Sequence, residues 1–571
     1  MNKYKWKIKE PLSREVIDKF PEINPAVLQL LYDRGLTTQE QIDEFLNPDY
    51  SQDIHDPYLF TQMSLAVERI YLAKEKKEQV VIYGDYDADG VCGSAILHKT
   101  FEAIGLEFET YLPDREKDGY GLNQQAVKAL AEGGAKLIIT VDCGISNKGE
   151  VELANSLGLE VVITDHHHIP EELPPALAII HPRLDKRYPF KDLAGGGVAF
   201  KLAQAVIRNP KSQIPNIKRE AFEKWLLDLA AISTVADMVP LVGENRTLVK
   251  YGLMVLSKTK NLGLNQLMEI AVIDKNKIDA HTIGFQIAPR INAAGRMEHA
   301  NTAYELLTTA NVEEAITIAH QLNKRNVERQ NLTEKLVEAA KKQLGEVGPD
   351  QPALFAGGVD WNPGIIGLVA GKLTQSYARP AIVFSQADNK IVASGRSIAE
   401  FNLIDALEKL ADCFVKFGGH KGAAGFSILS EKFDDFKTKF IALASKELQG
   451  ADFVPSLIID QEISLAEADW RLVEILEGFN PYGWSNFQPR FLIKNLLVEL
   501  AETVGADKNH LRMMVRQENI KRKIICFGFG EICDQLKPGD KIDAVCEIGV
   551  NEWNGNREIQ LSLIDIKKIN D

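Results

Sequence analysis

At 571 residues, with 45% apolar and 26% charged residues, the chain is several times the usual domain length and ordinary in composition, which excludes a small stapled scaffold and long disorder. A formal charge of −14 excludes a protein that coats nucleic acid by bulk electrostatics, because phosphate binding relies on Lys and Arg displacing counterions. No stretch reaches about 18 uncharged apolar residues, no apolar core follows the lysines of the start, and the six cysteines are scattered without a CxxC pair, so a cytoplasmic protein with no membrane partner is expected.

Residues 1–75 read as an N-terminal helical segment whose turns are marked by Pro11, Pro21, Pro25, Pro48 and Pro57, with a packing role. From Gln79 the pattern changes. Short β-branched runs (QVVIYG, EFETYL, KLIITV, LEVVIT) alternate with amphipathic stretches, and Phe222 to Ala236 continues the unit as a helix, giving an α/β domain over 76–310. Apolar runs too short for helices, separated by helices, imply a parallel sheet covered on both faces. Between Asn311 and Leu344 there is neither Gly nor Pro, and Asn311 followed by Glu314 fits a capping box. A helix of that length, about 50 Å at 1.5 Å per residue, predicts a connector over 311–349. A second, smaller α/β domain with Gly-rich turns is expected over 350–454. Alternating apolar and polar residues over 455–571 predict an all-β domain, a small barrel. Arg490 to Asp571 carries as many Lys/Arg as Asp/Glu, so the acidic excess lies upstream and the neutral tail is the better surface for gripping a nucleic acid. Removing 455–571 is expected to leave the two α/β lobes folded.

The chemistry concentrates where strands end. VVIYG runs into Asp85, Asp87 and Asp89, LIITV into Asp142, and VVIT into Asp165, His166 and His167; Asp237 follows a further apolar stretch. In an open parallel sheet, ligands bind beyond the carboxyl ends of the strands at a switch in strand order. Acids converging there would raise one another's pKa unless cations held them, so a metal site is the natural resolution. Carboxylate and imidazole without thiolate suit manganese, with magnesium or zinc as alternatives. A single Asp after a strand is commonly a turn or cap residue, but the joint pattern is not explained that way; Asp114 and His168 are read as bystanders.

At these residues the sequence resembles a known family. GDYDADG, VDCGIS, TDHH and VADMVPL are similar to the successive motifs of the DHH phosphoesterases, and FQIAPRINAAGRM (285–297) resembles a segment of the RecJ exonucleases within that superfamily. WNPGIIGLVAGKL (361–373), ASGRS (393–397) and GGHKGAAGF (418–426) resemble the companion DHHA1 domain, while PYGWSNFQPRF (481–491) and NEWNGNREIQLSLIDI (551–566) resemble an oligonucleotide-binding (OB) barrel. The resemblance implies that Asp89, Asp142, His166 and Asp237 hold one divalent ion, Mn2+ or Mg2+, and that Asp87 and Asp142 hold a second beside Asp85. It implies further that His167 meets the scissile phosphate and that Asp165 orients the histidines. The implied activity is a single-stranded-DNA-specific 5′→3′ exonuclease that hydrolyses phosphodiester bonds by a two-metal mechanism and releases 5′-mononucleotides in DNA repair and recombination. A helicase and a single-strand-binding protein are the implied partners. Two alternatives stand beside it: a phosphoesterase for short oligonucleotides or cyclic dinucleotides, and a non-catalytic nucleic-acid-binding scaffold.

For substrate grip, Gly418, Gly419, His420 and Lys421 offer unshielded N–H groups and side-chain donors that could cradle a phosphate. Arg290, Arg296 and Arg396 sit beside small residues that let a strand approach. Trp484, Trp553 and Phe487 are candidates for base stacking, with core packing as the rival.

Overall fold

The computed structural model describes residues 4–115, 118–297, 299–553 and 555–569. The first lobe is built on a five-stranded parallel sheet in the order Phe108–Tyr111, Val80–Gly84, Leu137–Val141, Glu160–Thr164, Ala178–Ile180. Four of these strands are the β-branched runs read from the sequence. The fifth, Ala178–Ile180, was not; it follows a long loop instead of a helical crossover, so no periodicity announces it. Alternate residues of each strand enter different cores, as a sheet with two covered faces requires. Val80, Ile82, Leu137 and Ile139 pack with helices Ala88–Ile104 and Gly195–Arg208, whereas Val81, Tyr83, Ile138 and Val161 pack with Gln124–Glu132 and Lys148–Ser156. Strand order reverses between Val80–Gly84 and Leu137–Val141, and that crevice is where a ligand site belongs.

Helix Val312–Leu344 joins the lobes. Its Ile318, Ala319 and Leu322 enter the first core, and its Val337 and Ala340 enter a core of the second lobe. The expected capping box is half formed. Asn311 Oδ1 accepts from the N–H groups of Glu313 and Glu314, but the Glu314 carboxylate takes the Thr309 hydroxyl, and Asn311 N–H turns to Thr309 Oγ1 instead. The second lobe carries a mixed sheet in the order Phe414–His420, Ala423–Leu429, Lys390–Arg396, Ala381–Ala387, Leu354–Val359. Phe433, Phe436 and Phe440 of helix Ser430–Glu447 pack into its core. Strands Arg490–Val504, His510–Gln517, Ile520–Cys526, Asn556–Lys568 and Lys541–Trp553 then close into a barrel, the last pairing back to the first.

The N-terminal segment is divided between two cores. Tyr50, Met63, Ile70 and Tyr71 belong to the first lobe, while Val27, Leu28, Leu30, Leu31, Ile42 and Phe45 share one core with the barrel strands. A strand that the helical reading of residues 1–75 missed, Lys5–Ile8, pairs in parallel with Ser456–Ile459. Arg246 sits at the junction. Its fully buried guanidinium donates to the carbonyls of Phe45 (2.8 Å), Gly478 (2.9 Å), Phe479 (2.8 Å) and Asn480 (2.8 Å), and lies 3.9 Å from the Phe45 ring. Burial lowers its pKa to about 10. Carbonyl dipoles replace its lost hydration, since a buried charge persists only when its hydrogen bonds are supplied.

This packing revises the truncation expected above. A chain ending at 454 would expose the apolar faces of Pro25–Tyr32 and Gln39–Leu46, and stranding six such side chains in water costs about 1.5–3 kcal/mol each. Residues 1–454 should therefore aggregate on expression, whereas 49–454 should be soluble and melt cooperatively. Comparable soluble yield and melting temperature for the two fragments would contradict the shared core.

Candidate metal centre

Asp85 directly follows strand Val80–Gly84, and Asp87 caps the helix that starts at Ala88, accepting from the N–H groups of Asp89 and Gly90. Asp89, in the first turn, faces inward. Its carboxylate accepts from Gly195 N–H (2.8 Å), Gly196 N–H (2.7 Å) and the Ser233 hydroxyl (2.5 Å). The N-terminus of Gly195–Arg208 favours that negative charge, and the approach requires glycine: a Cβ on Gly195 would collide with the Asp142 carboxylate, and one on Gly196 would come within 2.5 Å of Ser233 Oγ. Asp142 ends strand Leu137–Val141 in the left-handed region at φ 62°. Asp237 is the C-cap of helix Leu227–Ala236, and His166 and His167 follow strand Glu160–Thr164 by way of Asp165.

These groups converge on the switch point. His166 Nε2 lies 3.2 Å from Asp142 Oδ1, 3.5 Å from Asp237 Oδ2 and 3.8 Å from Asp89 Oδ2. Three sets each bring their ligand atoms within 4.8 Å of one another: Asp89 with His166 and Asp237, Asp85 with Asp87 and Asp142, and Asp142 with His166 and His167. The third set links the other two through Asp142 and His166. Asp85 Oδ1, Asp142 Oδ1 and His166 Nε2 are buried with no hydrogen-bond partner. Buried polar atoms are normally satisfied, and three orphans of acceptor character facing one space fit a cation. Carboxylate and imidazole donors without thiolate suit Mn2+ or Mg2+.

The electrostatics agree. Burial first, then the charge of Asp87, raises Asp89 to about 6; Asp85 and Asp142 are pushed well above the carboxylate range by burial and their acidic neighbours, and Asp237 by burial, Asp89 and Asp87. Asp165 goes the other way. Burial opposes its ionisation, but hydrogen bonds from the His166, His167 and Ile145 N–H groups and from His167 Nδ1 hold it near 2. The two histidines separate as well. Burial, then the neighbouring His167, drops His166 to about 3, so it is a neutral donor, whereas burial is outweighed at His167 by the 2.8 Å bond to Asp165, raising it to about 9.

Beside the acids, a cavity of about 250 Å3 is lined by Asp85, Asp87, Arg115, Tyr120, His167 and Arg296. It adjoins a cleft of about 590 Å3 between the lobes, to which Arg115, Arg296, Arg396, Lys416 and Gly418 contribute. Of the anticipated grip residues, Arg296 and Arg396 are thus brought together with Gly418. Arg290 is turned to Asn323 Oδ1 (3.0 Å) and the Gln286 carbonyl (2.6 Å) and lines neither cavity. Gly418, Gly419 and His420 form a strand paired with Ala423–Gly425 instead of a cradling loop, and His420 is exposed, its Nδ1 accepting from Gly422 N–H. On the far side, a groove of about 800 Å3 between first lobe and barrel carries exposed Met238, Phe285, Trp484 and Phe487. The Trp553 side chain lies outside the described residues. Arg115, Tyr120 and the Gly195–Gly196 pair were not anticipated. Arg115 and the glycines carry a signal in the chain, Arg115 lying just past the carboxyl end of strand Phe108–Tyr111 and a Gly run opening an apolar helix; no motif marks Tyr120.

Three family models match the chain: the DHH family N-terminal domain over residues 79–234, the DHHA1 domain over 350–446 and the RecJ OB domain over 459–565. The single-stranded-DNA-specific exonuclease RecJ of Bacillus subtilis (strain 168) is 38% identical over 99% of this chain and 71% of its own length. Its namesake from Escherichia coli (strain K12) is 32% identical over 97% of both chains. The crystal structure of RecJ from Thermus thermophilus in complex with Mn2+ superposes with a TM-score of 0.84 at 28% identity, covering 100% of this chain and 80% of that one, and its Mg2+ complex gives 0.78 at 27% identity.

A linkage follows from the raised carboxylates. A group whose folded pKa lies above its unfolded value contributes stability below the unfolded pKa and loses it as pH rises through the folded one. With Asp89 near 6 and Asp85, Asp142 and Asp237 also raised, chelated protein should melt at steadily lower temperature as pH goes from about 5 to 8. Mn2+ binds only the folded form and should restore the melting temperature, by an increment that grows with pH. Scanning calorimetry with and without EDTA reads both slopes; an increment independent of pH would contradict the cluster.

Proposed function

Because the chain belongs to the RecJ family of single-stranded-DNA-specific exonucleases, we propose that it hydrolyses single-stranded DNA from the 5′ end, releasing 5′-mononucleotides, with two divalent ions, Mn2+ or Mg2+, held by its acids and histidines. The observation that carries this reading is the group of overlapping ligand sets sharing the switch point with three orphaned buried atoms. In the assignment we favour, Asp89, His166 and Asp237 would hold one ion, Asp85 and Asp87 the other, with Asp142 available to both. When bound, such ions lower the pKa of water and neutralise charge on the phosphoryl oxygens during in-line displacement.

The chain's own side chains supply the rest. Neutral His166 is ready to donate its Nε2 lone pair without first losing a proton. Asp165, fully buried and fixed by its N–H donors, holds the His167 imidazole at Nδ1 and the backbone of His166, in the manner of outer-shell carboxylates at metal sites. His167, cationic and open to the cavity, suits contact with the scissile phosphate. Arg115, Arg296 and Arg396 suit the terminal phosphate, since a guanidinium offers a planar fork of donors. Lined by exposed aromatics, the groove toward the barrel suits an unpaired strand, for which stacking is worth about 1–3 kcal/mol per base. That the chain carries a barrel favours a polymeric substrate over a cyclic dinucleotide.

Work on DNA in repair and recombination would put the protein in the cytoplasm, with a helicase and a single-strand-binding protein supplying and presenting the strand. Among the described residues no helix is long and apolar enough to cross a membrane.

The test is hydrolysis of end-labelled single strands with Mn2+. Wild type should degrade a 5′-phosphorylated strand to mononucleotides and leave blunt duplex nearly intact. Asp142→Ala should stay folded but lose essentially all activity and the Mn2+-dependent rise in melting temperature, and His166→Ala should weaken Mn2+ binding where His167→Ala does not. Retained activity in Asp142→Ala, or equal loss of Mn2+ affinity in both histidine variants, would overturn the assignment.

A further inference from the structure

Tyr120 stands between two left-handed glycines, Gly119 at φ 78° and Gly121 at φ 83°, in the loop after strand Phe108–Tyr111. The loop is pinned on the C-terminal side of Tyr120. Gly121 O accepts from the Tyr83 hydroxyl (3.1 Å), and the Asn147 amide bonds both Leu122 N–H (3.2 Å) and Leu122 O (3.1 Å). Only glycine fits at 121, where a Cβ would meet Asn147 Oδ1 at 2.5 Å. An exposed tyrosine is therefore held by a rigid support, with its ring opening on the cavity beside the acids.

Its hydroxyl makes two contacts, the Asp142 carbonyl at 3.0 Å and His167 Nδ1 at 2.9 Å. A carbonyl can only accept, so the phenol donates its single proton there. The contact with His167 must then run the other way, with Nδ1–H as donor. That proton is shared with Asp165 Oδ1 at 2.8 Å, which leaves Nε2 as the ring nitrogen available to substrate. The carbonyl anchored by the phenol belongs to Asp142, a non-glycine residue at φ 62°, a conformation that costs about 1 kcal/mol or more unless its surroundings enforce it.

We propose that Tyr120 is a positioning residue for the phosphodiesterase reaction, its hydroxyl joining the His167 ring to the left-handed turn of Asp142 so that the imidazole and the acid cluster keep one register. The inference rests on the role given to His167 under the proposed function. It assigns the hydroxyl to the chemical step and not to folding, metal loading or strand affinity.

Tyr120→Phe deletes the oxygen alone. With Mn2+ and a 5′-phosphorylated single strand, kcat should fall about 10–100-fold, as for loss of an outer-shell partner, while KM, Mn2+ affinity and melting temperature stay within error. In a His167→Ala background the same change should have no further effect on kcat, because the residue acts through that ring. Unchanged kcat in Tyr120→Phe, a loss matched by weaker Mn2+ binding, or an undiminished effect in the His167→Ala background would each overturn the proposal. His167→Ala alone separates the two readings: if it keeps full activity, the role of His167 fails, and if it loses activity while Tyr120→Phe does not, only the present inference fails.

Discussion

Everything in the first lobe answers to the mutual repulsion of carboxylates gathered at one switch point. Asp85, Asp89 and Asp142 are almost wholly buried, Asp87 and Asp237 face the same space, and the charge of each disfavours ionisation of the others. Cationic His167, its Nδ1 3.7 Å from Asp142 Oδ1, relieves it only in part, and the nearest nitrogen, His166 Nε2, is neutral. Such a cluster is a poor way to stabilise a fold and a good way to hold divalent ions, because the free energy that burial withholds from the charged forms is returned when the ions bind.

The surroundings are arranged to keep the acids in place without neutralising them. Asp89 is tied by backbone N–H groups of a helix N-terminus and by Ser233, none of which carries a full charge. Asp165, one step removed, takes four N–H donors and stays ionised; it raises His167, while burial and the neighbouring His167 lower His166, so the two adjacent histidines take opposite protonation states. Two titratable neighbours driven apart by environment are the usual means by which a site runs two roles with one residue type. Farther out, Leu241 N–H donates to the Trp484 carbonyl at 2.8 Å, and Arg246, from a helix of the first lobe, binds the carbonyls of Phe45 and Phe479 in the core shared with the barrel. The aromatic groove is thereby tied to the segment that carries Asp237.

Much of this was legible in the chain. Asp85, Asp87, Asp89, Asp142, His166 and His167 could be read because strand ends in a parallel sheet converge by topology alone, and Asp237 because it closes an apolar helix aimed at the same place. Features set by contacts distant in sequence were hidden. Lys5–Ile8 pairs with a partner some 450 residues away, and its four residues have no periodicity of their own. Arg246 reads as an ordinary exposed helical cation until the carbonyls of Phe479 and Asn480 are brought to it. Gly418–His420 carry the composition of a loop but lie in a hairpin, since pairing with Ala423–Gly425 outweighs the local preference of glycine. Arg290 matches its neighbours in motif and differs in placement, because one helix turn aims it at Asn323 instead of the cleft.

In the proposed assignment two ions share one carboxylate, and the stoichiometry of metal binding is its sharpest test. Calorimetric titration of chelated protein with Mn2+ at neutral pH should give two sites per chain. Asp237→Asn should remove one and Asp87→Asn the other, while each variant keeps the remaining site. A single site in the wild-type protein, or loss of the same site in both variants, would contradict the arrangement of Asp85, Asp87, Asp89, Asp142, His166 and Asp237 described above.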